Sequence, residues 1–264
     1  MSKFDWEKTR TIYWSDELND DFTEMGLERP KIPTDYQYLR KNFFVKLWDG
    51  FLYYCLAKPF LAIYCFFHGI RVKNRKAIRK LSGHGAVIYS NHTDVINDAF
   101  KFQSLIFWKK VHVVAYSDAT TVPVAKHLLK SLGYLPIPES RENFANFNKA
   151  IEYIVKIRRG YVLIYPEAHV WPYYTKIRHF KTVSFHYPAT MDLPVLPAVG
   201  VWRKVWWSKK PRQTIIFGDP IYPDPTLTTT QNKAMLAQKC FEVMDYISKS
   251  VDQVEYIKYI KKDE

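Results

Sequence analysis

The chain is 264 residues long, 47% hydrophobic and 25% charged, and its 39 Lys and Arg against 26 Asp and Glu leave a formal charge of +13. That length supports one large α/β domain without demanding two, the charge points to anionic partners, and 19 Tyr, 17 Phe and 8 Trp suit either a lipid interface or a ring-rich core. Cys55, Cys65 and Cys240, an odd number at unrelated spacings, indicate neither a disulfide framework nor a zinc site and fit a reducing compartment, and residues 1–22 are too polar and acidic for a secretory signal.

Residues 1–42 read as a polar arm, irregular where Pro30 and Pro33 break it. The segment FFVKLWDGFLYYCLAKPFLAIYCFF at 43–67 is apolar but interrupted by Lys46, Asp49 and Lys58-Pro59. A spanning helix needs about 20 mostly apolar residues without such breaks, so a hairpin of two short helices lying in the membrane interface is expected, or else a buried hairpin. RVKNRKAIRK at 71–80 follows as a basic run that faces lipid headgroups or solvent, closing a membrane-associating segment at 43–80. From 81 to 230 short apolar runs alternate with longer helical stretches. Residues 85–91, 111–117, 161–167, 193–201 and 214–221 read as strands, and 97–108, 122–132 and 143–158 as helices. The alternation predicts an α/β fold with a mostly parallel central sheet flanked by helices. Within it, VWRKVWWSKKPR at 201–212 reads as a membrane-contact loop, with indoles at headgroup level, or as a hairpin whose tryptophans pack on the core. The C-terminal segment 231–264 reads as an amphipathic helix to about residue 259 and a frayed tail.

Chemistry concentrates in SNHTDVINDAF at 90–100, where a strand ends and a helix begins, the junction at which α/β sheets present functional groups. A helix starting near Asp94 or Val95 would aim free backbone N–H groups at a developing oxyanion, with Asp94 as a candidate N-cap. His92 and Asp98 meet only if His92 lies outside that helix and folds back.

These residues resemble the first motif of the glycerolipid acyltransferase family that includes the 1-acylglycerol-3-phosphate acyltransferases. That motif is Asn-His, four residues, then Asp; Asn91 and His92 match it, whereas five residues separate His92 from Asp98, which implies a one-residue bulge with Asp94 as the alternative partner. LGYLPIPESR at 132–141 resembles the family's Gly-x-Ile/Phe-hydrophobic-x-Arg segment through Gly133, with Arg141 as candidate phosphate ligand. VLIYPEAHVWP at 162–172 resembles Phe-Pro-Glu-Gly-Thr-Arg, keeping Pro166 and Glu167 but carrying Ala168, His169 and Val170 where the family has Gly, Thr and Arg. Lys176, Arg178 or Lys181 is left to supply the missing charge. RHFKTVSF at 178–185, LPVLPAV at 193–199 and FGDPI at 217–221 continue the resemblance in the family's order.

The resemblance implies direct acyl transfer to a lysophospholipid hydroxyl, with His92 as general base and Asp98 holding its tautomer. It implies Asn91, Gly133, Arg141, Glu167, His169 and Lys181 as substrate-binding residues. No cofactor or metal is expected, acyl-CoA or acyl carrier protein being the donor substrate. The expected partners are a lysophospholipid and an anionic membrane surface, on whose cytoplasmic face the protein sits as a peripheral or monotopic protein. No Gly-x-Ser-x-Gly elbow or His-Glu-x-x-His spacing occurs, and no nucleic-acid-binding pattern accompanies the charge, so nucleic acid is not an expected partner. The altered motifs leave a second reading, a lipid-binding relative without turnover.

Overall fold

Runs such as Ala86-Val87-Ile88-Tyr89 and Tyr161-Val162-Leu163-Ile164 lack any polar alternation, so they need cover on both faces, and both become fully buried strands. The structure, a computed structural model, describes residues 5–23, 32–106, 108–116, 128–138 and 140–262. Its strands are β1 (Thr11–Trp14), β2 (Arg71–Lys73), β3 (Ala86–Ser90), β4 (Val111–Ala115), β5 (Tyr134–Pro136), β6 (Tyr161–Ile164), β7 (Val195–Val205), β8 (Ser208–Phe217) and β9 (Lys258–Lys261). Seven of them form one sheet in the order β2-β8-β7-β3-β6-β4-β5, parallel at every ladder but β7/β8. The expected fold class, a mostly parallel sheet flanked by helices, is the one observed.

Each sheet face carries its own core. The helices Arg141–Glu152 and Thr229–Lys249 cover one face, burying Phe147, Ile151, Leu236 and Met244 against Val87, Tyr89, Val162 and Val199. Thr228 and Gln231 cap the second helix reciprocally, so its first turn leaves few orphan N–H groups. On the other face Ile78, Phe102 and Leu105 pack on Ile88, Leu163, Leu196 and Phe217.

Residues 43–67 depart from the expected hairpin: they form one continuous helix of 25 residues. Pro59 has no N–H to give, and the helix absorbs the break through a π-turn at Leu52–Ala57, where the Lys58 N–H reaches back to the Tyr53 carbonyl. Two of the three charged residues that looked like interruptions, Asp49 and Lys58, are attachments, and Tyr53 joins them. Asp49 accepts from Ser131 Oγ at 2.6 Å and Arg40 Nε at 3.2 Å, Lys58 Nζ donates to the Lys109 carbonyl at 3.2 Å, and Tyr53 Oη accepts the Val111 N–H at 3.1 Å. Asp49, Tyr53, Lys58 and Cys65 thus make the inward stripe, while Phe43, Phe44, Leu47, Phe60, Ile63, Phe66 and Phe67 face out.

The ends also differ from expectation. Residues 11–14 of the supposed irregular arm pair in parallel with residues 258–261, and the closing helix stops at Lys249, so the region beyond it returns as a strand. This pairing has no local signal; it is driven by rings, since Trp14 and Tyr259 both pack on the buried Trp171 at centroid distances of 5.4 and 5.2 Å. The 201–212 segment is the tip of the β7/β8 hairpin, with Trp202 buried against Tyr173 and Trp206 exposed. The helix expected at 97–108 is a 3₁₀ turn at Asn97–Ala99 followed by a short helix at Lys101–Leu105. The one expected at 143–158 starts at Arg141 and ends in a π-turn at Tyr153–Ile157. That expected at 122–132 lies mostly outside the described residues, of which 128–131 are helical.

Candidate active site

The loop after β3 folds around two aspartates. Asp94 Oδ1 accepts the N–H groups of Ile96 and Asn97 at 3.4 and 3.1 Å, a local turn that takes up the extra residue before Asp98. The 3₁₀ turn then swings the Asp98 carboxylate back under the loop, where Oδ2 accepts His92 Nδ1 at 2.7 Å and the N–H groups of Thr93 and Asp94 at 3.0 and 3.1 Å. His92 lies outside any helix, and Asp98, not Asp94, is its partner. These turns consume the N–H groups of Thr93, Asp94, Ile96 and Asn97, so four of the oxyanion donors expected at this helix start are already engaged.

Asp98 is fully buried, and its other oxygen binds Lys101 Nζ, itself inaccessible and 2.7 Å from Gln213 Oε1. Burial pushes the Asp98 carboxyl up, but Lys101 and the bond from His92 overcome it and hold the carboxyl below its ordinary value. Asp94 goes the other way, raised by burial and by its neighbour Asp98. Tyr165 stacks on the His92 ring at 4.2 Å and donates its hydroxyl to the Asp98 carbonyl at 2.7 Å. With Nδ1–H turned to a carboxylate, the neutral imidazole carries its lone pair on Nε2, and the side chain keeps 20% of its surface open. The pair is therefore built to accept a proton at Nε2 and to stabilise the resulting imidazolium.

Glu167 braces this arrangement from below. Its Oε2 accepts the His92 N–H at 3.0 Å and Arg178 at 3.1 Å, and Oε1 accepts the Arg178 N–H at 3.1 Å. Both side chains of the Glu167–Arg178 pair are inaccessible, and the Arg178 guanidinium stacks 4.7 Å from the Trp171 ring centroid. Glu167 thus positions the His92 backbone, in place of the substrate contact expected of it. Arg178 is committed to that brace and does not supply the missing phosphate ligand.

The other expected site residues spread out. Asn91 is buried and ties the loop to β7 by two bonds with Gly200, at 3.0 and 2.7 Å. His169 Nδ1 meets Asp21 Oδ2 of the N-terminal arm at 3.1 Å. Lys181, like Lys176, is exposed. Arg141 opens its helix at the C-terminal side of β5, and its side chain lies outside what the structure describes. Gly133 precedes β5 at the opposite edge of the parallel strands from His92, so it takes no part in the site. Its φ of +95° and the Val111 carbonyl 2.8 Å from an added Cβ make glycine obligatory there. Gly133→Ala is expected to lower the unfolding free energy by about 1–3 kcal/mol in a urea titration; an unchanged midpoint would contradict this account of the turn.

The residues missed in the sequence are Lys101, Tyr165, Thr93 and Gln213. Only Lys101 left a signal, a lysine three positions after Asp98 in a stretch otherwise turned to the core. Among the described residues no three His, Cys, Asp or Glu side chains gather as a metal site.

No curated protein matches the sequence. The fold is similar to that of the crystal structure of the 1-acyl-sn-glycerophosphate (LPA) acyltransferase PlsC from Thermotoga maritima, with a TM-score of 0.52 and 13% identity, over 79% of this chain and 95% of that one. Residues 69–201, which run from just after the apolar helix into β7 and hold His92, Asp98 and Glu167, match the acyltransferase family; the chain belongs to that family.

Proposed function

We propose that the chain is an O-acyltransferase that moves a fatty acyl group from an acyl thioester to the hydroxyl of a lysophospholipid at a membrane surface. The observation that carries the reading is His92 held at Nδ1 by a buried carboxylate, with Nε2 unencumbered. Nε2 takes the proton of the acceptor hydroxyl as its oxygen attacks the thioester carbonyl. The tetrahedral intermediate then expels the thiolate, which recovers the proton from the imidazolium. The acceptor's ester C–O bond forms, the thioester C–S bond breaks, and no group on the protein is acylated. Asp98 balances the charge on the imidazolium, and Lys101 keeps Asp98 ionised. Similarity to the Thermotoga maritima enzyme supports 1-acylglycerol 3-phosphate as the acceptor class. Arg141 and exposed Lys181 are the candidate phosphate ligands, and either acyl-CoA or acyl carrier protein fits a basic surface as donor. The test is acyl transfer in mixed micelles, each donor offered with a panel of lysolipids; diacyl product is expected, and a folded protein inactive on every pair would overturn the proposal.

The membrane half of the reading rests on the 43–67 helix. It is long and apolar enough to cross a bilayer, yet it is fastened to the domain at Asp49, Tyr53, Lys58 and Cys65 along its length. A helix so attached lies in the interface with its outer phenyl rings in lipid, on the cytoplasmic face, as a monotopic anchor. Phe44→Ser with Phe60→Ser removes two rings that are 76% and 67% exposed, and vesicle binding measured by flotation is expected to weaken at least tenfold per ring. Equal binding by this variant and the wild type would remove the anchor.

A further inference from the structure

Arg71, Arg203 and Arg212 meet at one edge of the sheet. Arg71 on β2 is paired with Thr214 on β8, Arg203 on β7 stands opposite Arg212 on β8, and Arg203 Nε donates to Thr214 Oγ1 at 3.0 Å. The strand registers therefore crowd three guanidiniums around one threonine. Like charges opposed across a ladder repel. The Arg203 guanidinium is held below its ordinary pKa by burial and then by Arg71 and Arg212. Among the described residues no carboxylate forms an ion pair with any of the three. Arg212 Nε is buried with no hydrogen-bond partner, an unsatisfied donor that a native site retains for a reason.

The surroundings say which anion belongs here. Gly69 ends the apolar helix in a left-handed turn with φ +64°, and a Cβ there would come within 2.8 Å of the Trp207 ring, so the helix end and the hairpin tip touch. Arg203 also binds the Gly69 carbonyl, and Arg212 lies 5.0 Å from the Trp207 ring centroid. On these adjoining ends Phe66 is 78%, Phe67 71% and Trp206 95% exposed. Lys204, Lys209 and Lys210 are exposed beside them. Cations without counter-ions, next to unburied rings at the end of an interfacial helix, have the composition of a headgroup contact. Guanidinium forks fit phosphate oxygens two at a time.

We propose that Arg71, Arg203 and Arg212 bind the phosphate of a bilayer phospholipid headgroup, fixing how the hairpin tip and the helix end sit on the membrane. The site rests on the membrane-surface reading above but not on the His92 chemistry.

The experiment is flotation of the full-length protein with phosphatidylcholine vesicles, with and without phosphatidic acid. It compares wild type, the Arg71→Gln and Arg212→Gln double variant, and a Lys204→Gln and Lys210→Gln control that removes the same charge outside the cluster. The arginine variant is expected to bind the anionic vesicles about thirtyfold more weakly, and the lysine control to lose distinctly less. Equal losses, or none in the arginine variant, would overturn the site while leaving the anchor standing, whereas a wild type that binds no vesicle sinks both. Should the glutamine pair fail to fold, Arg71→Lys with Arg212→Lys keeps the charge and loses the forks, and it is expected to fall between wild type and the glutamine pair. Trp fluorescence titration with a short-chain lysophosphatidate below its micelle concentration separates the other source of phosphate: loss of that binding with vesicle binding retained would assign the arginines to the acceptor and refute the proposal.

Discussion

His92→Ala is expected to lower the rate of acyl transfer by roughly 10²–10⁴-fold or more, the range that positioned general-base help contributes. The ring is 20% exposed and its one strong bond is to Asp98 at 2.7 Å, so the variant should fold, and the loss should appear as turnover. Asp98→Asn is expected to lose a comparable factor by a different route. An amide N–H presented to Nδ1 would favour the tautomer with its proton on Nε2, leaving the hydroxyl without an acceptor. A purified, folded His92→Ala protein that transfers acyl groups at the wild-type rate would remove the base from the mechanism.

Lys101→Met carries the largest expected effect on stability. It leaves Asp98, 1% exposed, without the cation on its second oxygen, and Gln213 without a donor. Breaking a buried pair from one side costs about 3–5 kcal/mol, because the remaining charge is uncompensated. The pH dependence follows from the same residues. The Asp98 carboxyl of the folded protein lies below its ordinary value, so its contribution to stability is present above the unfolded carboxyl's value of about 3.9 and is lost as pH falls through the folded one. Without Lys101 burial dominates and the carboxyl rises above its ordinary value, so the sign reverses: protonation relieves the buried charge, and the variant's deficit against wild type should shrink as pH falls. Urea midpoints of the two proteins across the acid range check this; parallel curves would show that Lys101 does not hold the Asp98 charge.

How much could be read beforehand differs by element. The central strands were legible because β3 and β6 are unbroken apolar runs, which have no stable place except a covered sheet. The pairing of His92 with Asp98 was legible through the order of the surrounding motifs, and the one-residue excess between them is taken up by the Asp94 turn. The apolar helix was misread because Lys46, Asp49 and Lys58-Pro59 counted as breaks. A π-turn cancels the proline, and two of the three charged residues point into the domain as attachments. The β1/β9 pairing depends on rings more than two hundred residues apart in the chain and leaves no local trace. Glu167 stood in the expected motif, but its work on the His92 backbone, shared with Arg178, depends on a loop-to-loop contact that spacing does not encode. Lys101 left only its spacing from Asp98 as a signal, for a similar reason: a lysine in a short helix reads as solvated until the fold closes Asp98 and Gln213 around it.

The most direct test of direct transfer by His92 is a quenched-flow reaction of the protein with a labelled acyl thioester, run with and without 1-acylglycerol 3-phosphate. The account predicts labelled diacyl lipid when the acceptor is present and no label on the protein when it is absent. Label retained on the protein without acceptor, or no diacyl lipid with it, would contradict the account.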